Sequence, residues 1–185
     1  MTFRLLYRGP LHSNAGAHEK QAIRRTLHKQ LADLWRRPPL TTVAHSVGLL
    51  NPMPSGNQLS VIVARGGFQC APLVTGRLAL VCHLDVLFLR PQDPGELIQA
   101  GDLDNRLKTL FDALQMPDEN QLIGDAPSQN ETPFFCLLEN DALITQFSVE
   151  TDRLLEDVPP SHVALVMRVS LRATKASWIS LDLVD

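Results

Sequence analysis

No run of apolar residues in this 185-residue chain approaches the roughly 18 to 20 needed to cross a bilayer, so no membrane partner is expected. The opening MTFRLLYRGPLHSN lacks the basic, then apolar, then small-residue layout of a secretion signal. Cysteine is scarce, and Cys70, Cys82 and Cys136 are an odd set without paired spacing. Reduced thiols in a cytoplasmic chain are the expectation. A zinc site at Cys70, Cys82-His83 and Cys136 would need closely spaced Cys or His pairs, which are absent, so these are read as buried thiols. There is no Gly-x-Ser-x-Gly elbow and no phosphate-cradling glycine motif. Serine-hydrolase chemistry and an organic nucleotide cofactor are therefore not expected. Internal repeats and low-complexity tracts are absent as well.

What is present fits one soluble globular domain. Hydrophobic residues make up 44% and charged residues 20% of the chain, enough to fill a core without disulfide or metal staples. The net charge of −3 hides an asymmetry. Residues 1–40 carry eight Lys/Arg against Glu19 and Asp33, while residues 41–185 carry nine against eighteen acids. A uniformly basic nucleic-acid binder is excluded, whereas one that is basic on a single face is not.

Thr2–Tyr7 reads as a strand ended by the turn formers Gly9-Pro10. From Ala17 to Trp35, Ile23, Leu27, Leu31 and Leu34 recur at helical spacing, with Arg24, Arg25, His28 and Lys29 on the other faces. Arg36-Arg37-Pro38-Pro39 stops that helix. Residues 38–76, rich in Pro, Gly and Ser, read as an insertion with a β-like run at Leu59–Ala64 that is ended by Gly66-Gly67. Leu78–Leu89 has the length and apolarity of a central strand, with His83 and Asp85 on one face. After a loop containing Pro91, Pro94 and Gly95, the spacing of Leu103, Leu107, Leu110, Phe111 and Leu114 predicts an amphipathic helix ended by Pro117. A long loop over 115–133 leads to apolar Phe134–Leu138, a turn at Glu139-Asn140-Asp141, and strands at Leu143–Val149 and Val163–Leu171. The expected fold is α+β, a single domain over 1–185 with helices packed on a mixed β-sheet.

The residues with chemical promise are Asp102, Asp104, Lys108 and, further on, Asp141. At about 100° per residue, Asp104 sits at the edge of the apolar arc and Lys108 follows one turn later, about 6 Å along the axis. Two carboxylates within three residues, joined by a third from a distant turn, suit a hard divalent cation such as Mg2+. A neighbouring Lys suits a phosphate oxygen on which charge builds. The plainer alternative stands beside this: Asp102 as a helix cap, Asp104 as a first-turn acid, and Lys108 as its i,i+4 partner. The basic residues Arg24, Arg25, Lys29, Arg36 and Arg37 are candidates for tracking phosphates, or else an ordinary solvated face. Asp85, with His83, is a candidate for supporting the ligands from the central strand, or else an ordinary sheet residue.

Asp102-Leu103-Asp104-Asn105, followed by Lys108 and Phe111-Asp112-Ala113-Leu114, resembles the signature helix of the RusA family of Holliday-junction resolvases. Asn140-Asp141-Ala142 resembles that family's Asp-Asp-Ala turn, with Asn140 standing where the family has an acid. The resemblance implies Mg2+, with Mn2+ as a substitute, held by Asp102, Asp104 and Asp141, and a catalytic role for Lys108. It makes Asn105 and Asn140 candidates for supporting those ligands. It further implies a homodimer acting on branched DNA, with endonuclease activity. Two other readings stay open: a binding relative of the same fold without catalysis, and a metal-dependent nuclease on another nucleic acid such as RNA or flapped DNA.

Overall fold

The computed structural model describes residues 1–46, 61–92, 102–176 and 183–184, apart from the side chains of His45, Ser46 and Asp102. Strand β1 (Thr2–Pro10) leads into helix α1 (Ala17–Trp35) and a short helix α2 (Leu40–Ser46). A hairpin of β2 (Val63–Arg65) and β3 (Phe68–Val74) precedes the central β4 (Leu80–Arg90). Helix α3 (Asp102–Leu114), β5 (Phe134–Leu138), β6 (Ile144–Arg153) and β7 (His162–Ala173) complete the chain. The fold is α+β, as expected.

Among the described residues the expected single sheet is two. One has four strands in the order β1-β7-β4-β6, and the other has three in the order β2-β3-β5. Both are mixed: β4 pairs β6 in parallel and β7 antiparallel, while β3 pairs β5 in parallel and β2 antiparallel. The second sheet was hard to read because β3 and β5 are buried on both faces, so neither alternates in hydropathy. Pro72 inside β3 also argues against a strand. Strand β2 begins opposite Cys70, so among the described residues Pro72 of β3 has its paired neighbour, Cys136, on the β5 side only. That is a setting in which a strand tolerates proline.

Strand β4 shows how the larger sheet is faced. Leu80, Cys82, Leu84, Val86 and Phe88 are buried against the helices, and the alternate residues point the other way and are half-buried. Leu5 and Tyr7 of β1 and Val163, Leu165, Met167, Val169 and Leu171 of β7 join the same core. Each fully buried Leu or Ile contributes about 1.5–3 kcal/mol of transfer free energy. The stretch expected as an insertion belongs to this core where it is described, through Leu40, Val43, Ala44, Val61 and β3, and it does contain a hairpin. Residues 47–60 and 93–101, with the Pro-rich run Asn51–Asn57, Pro94 and Gly95, lie outside the described residues. No helix among the described residues is long and apolar enough to cross a membrane.

Helix α1 departs from its expected wheel in one respect. Ile23, Leu27, Leu31 and Trp35 form the apolar stripe at every fourth residue, with Leu34 only partly buried. A second stripe, Gln21, Arg24 and His28, is buried too. The His28 ring stacks on Phe134 at 4.9 Å and on Phe135 at 5.7 Å, so α1 is covered on two sides.

Candidate functional site

Helix α3 forms as its spacing predicts, with Leu107, Leu110, Ala113 and Leu114 in the core and Leu103 and Phe111 packed against it. Phe111 also meets Phe147 of β6 edge-to-face, with ring centroids 4.8 Å apart. The amphipathic wheel leaves Asp104 and Lys108 on the solvent side, both exposed. Asp141 opens a 3-10 turn, Asp141–Leu143, between β5 and β6. That turn packs against α3 and β4, with Leu143 tucked onto the core. Two segments far apart in sequence thus meet, and the carboxylate of Asp141 is exposed beside the helix that carries Asp104. Asn140 precedes it in extended conformation and makes no side-chain cap.

The plainer i,i+4 pairing is not formed. Among the described residues the side chains of Asp104, Lys108 and Asp141 take part in no ion pair and no hydrogen bond. Asp102 is the first residue of α3, and its side chain lies outside the described residues. Among the described residues no group of three or more His, Cys, Asp or Glu converges as a metal site would. The described part of the acidic set is therefore the pair Asp104 and Asp141. Carboxylate oxygens are the hard donors Mg2+ takes, and neither of these two is occupied by a cation among the described residues.

Beside Lys108 lies a cavity of about 250 Å3, bordered by Asn14, Lys20, Asn105, Thr109 and Asp112. Its walls are fixed. Lys20 Nζ lies 2.6 Å from Asp112 Oδ2, and the Ala15 N–H donates to Thr109 Oγ1 at 3.3 Å, which ties the start of α1 to α3. Asn105, expected as a supporting residue, thus lines this cavity next to Lys108. Asn14 and Lys20 went unread in the sequence. A turn-forming Asn and a charge on an amphipathic helix carry no signal until tertiary contact makes them neighbours.

Other expected residues fall elsewhere. Asp85 points to the outer face of the larger sheet, where its carboxylate accepts from Ser148 Oγ at 2.6 Å. The sheet separates it from α3, so it does not support ligands there. Arg24 is 3% exposed, and its guanidinium donates to the carbonyls of Asp112 and Gln115 and to the side chains of Gln21 and Gln121. It caps the C-terminal end of α3 from within and is not available to phosphates. Arg25 is held by Asp125 at 2.8 Å and by Glu131 at 2.9 Å, which fastens the 115–133 loop to α1. Burial raises the Glu131 carboxyl, but the Arg25 bond and the Ser128 N–H outweigh it and leave it below the usual carboxylate range. Arg37 pairs with Asp33 on the surface, and Lys29 and Arg36 are exposed. Cys70, Cys82 and Cys136 are free thiols and buried, as expected.

No model of a known protein family matches this chain, and no curated protein matches it. The likeness to the RusA family rests on the α3 segment and the Asp141 turn themselves.

Proposed function

We propose that the chain is a Mg2+-dependent endonuclease that hydrolyses phosphodiester bonds in branched DNA, acting as a homodimer in the cytoplasm. The observation that carries this reading is one of leftover charge: Asp104, Lys108 and Asp141 stand exposed on two touching segments without a partner among the described residues. Helical spacing can bring an exposed acid and base together, as it does Asp33 and Arg37. Here Lys108 stands at that spacing and the pair does not form.

Asp104 and Asp141, with Asp102, would present hard oxygen donors to Mg2+, and Mn2+ would substitute. When bound, the metal would supply a positive charge for the scissile phosphate and a water of lowered pKa. Lys108 would neutralise charge growing on a phosphate oxygen, which a lysine does as a compact point charge. The cavity beside it is polar-walled and bordered by two lysines, one of them balanced by Asp112, so it retains a net positive character suited to a phosphate. Of the five basic residues expected to track phosphates, Lys29, Arg36 and Arg37 remain exposed to contact DNA.

Incubation of the purified protein with labelled four-way junctions and Mg2+ tests the reading. Nicking that vanishes in EDTA and in Asp104→Asn is the expected result. Wild-type protein that leaves junctions intact, or a variant that nicks normally, would sink it. RNA and flapped duplexes in the same assay separate the substrate classes.

A further inference from the structure

The four-stranded sheet buries one face, and its other face carries an ordered distribution of charge. Strand pairing sets Arg4, Arg168, Asp85 and Ser148 in one row across β1, β7, β4 and β6. The next row runs Leu6, Val166, Leu87 and Glu150, and the one after it runs from Arg8 to Asp152. Positive charge therefore lies on the β1–β7 half and negative charge on the β4–β6 half, with apolar side chains in the middle. Arg4 and Arg168 are exposed, and among the described residues neither takes an ion pair, although Asp85 sits in the same row.

We infer that this face binds the same face of a second copy, about a two-fold axis that runs parallel to the strands between β7 and β4. Rotation about it keeps each row in place and exchanges its two ends, so Arg168 meets the partner's Asp85 and Val166 meets the partner's Leu87, while Arg8, already held by Glu156 of its own chain, contributes no new pair. A two-fold axis across the strands would instead set each strand against its own copy, which leaves the charges unmatched. Isologous contact of this kind is what a closed dimer requires. The face measures about 20 by 30 Å, on the order of 1,200 Å2 over two copies, the lower end of specific interfaces. Asp85, Glu150 and Asp152 make the same face a poor fit for nucleic acid, whose phosphates they repel.

This inference rests on the two-copy part of the proposed reading and not on its chemistry, so it is tested without metal or DNA. Sedimentation of the full chain in EDTA is expected to show a dimer that weakens with salt. Arg168→Asp alone, and Asp85→Arg alone, each place like charges in contact twice per dimer and should raise the dimer dissociation constant at least roughly tenfold. The decisive arm mixes the two variants. In the mixed dimer each new charge faces its opposite, so a one-to-one complex should re-form, which no loss of folding in either variant would produce. A monomeric wild type, variants that still self-associate, or a mixture that stays monomeric each overturns the inference. In any of those cases the face is free or serves a partner of other chemistry.

Discussion

Helices α1 and α3 both carry charge, and the fold treats Lys20, Arg24 and Arg25 of α1 in the opposite way from Asp104 and Lys108 of α3. On α1, Arg24 is enclosed by the end of α3, Arg25 is clasped by Asp125 and Glu131, and Lys20 is drawn onto Asp112. On α3, Asp104 and Lys108 stay in solvent without a partner among the described residues. The difference separates charges that hold the fold from charges that the fold leaves available. Only the second kind is free to meet a metal or a phosphate.

The strongest test of the comparison is Arg24→Met. Removing the guanidinium strands the half-buried carbonyls of Asp112 and Gln115 and two glutamine side chains, so a loss of about 3 kcal/mol is expected. Urea unfolding measures it, and a loss below about 1 kcal/mol would mean that Arg24 is no brace. Asp104→Asn should behave in the reverse manner. Its stability should stay within about 0.5 kcal/mol of the parent, as for a surface position, while nicking falls at least about a hundredfold. A destabilised Asp104→Asn protein would place that acid among the structural charges and erase the distinction.

His28 extends the comparison to pH. Its Nδ1 accepts the Phe135 N–H at 2.9 Å and its Nε2 faces the Asn130 carbonyl at 3.2 Å, which fixes a neutral ring with the proton on Nε2. Burial, the leading cause, holds its pKa below the usual 6.5, against weaker raising contributions from Asn130 and Glu131. Below 6.5 the unfolded chain takes up a proton that the folded chain refuses, so stability is full above that value and declines as pH falls toward the folded pKa. The slope approaches about 1.4 kcal/mol per pH unit for one such group. Glu131 adds a loss of the same sign only in more acidic solution, as pH falls below its usual 4.5. Urea midpoints at pH 7.5 and 5.5 should differ in the parent and converge in His28→Gln, even if that variant is weaker at both.

Much of the frame was legible in the sequence, for identifiable reasons. Helix α1 was read to its ends because Ile23, Leu27 and Leu31 keep strict spacing and proline stops the chain. The α3 segment was legible in both its wheel and its acids. What stayed hidden was tertiary. Arg24 and His28 look like solvated polar residues, and their partners are backbone carbonyls and amides contributed by residues about 90 or more positions away. Strand β3 hid because burial on both faces erases alternation. Asp85 was assigned to the correct strand and the correct face, but the face proved to be the one turned away from α3.

The smallest expected effect divides α1 within a single turn. Arg25 and Lys29 are four residues apart on one helix, so sequence treats them alike. Arg25 is engaged with two carboxylates, whereas Lys29 is exposed and has no partner among the described residues. If phosphates are tracked from this helix, Lys29→Ala should reduce the salt dependence of DNA binding by about one released counterion and change stability by less than about 0.5 kcal/mol. Arg25→Ala should do the opposite, loosening the 115–133 loop while leaving the salt slope intact. Binding isotherms across a salt series, read beside urea curves for both variants, set the two outcomes against each other. Equal slopes for parent and Lys29→Ala would remove α1 from the DNA-contacting surface and leave Arg36 and Arg37 to carry it.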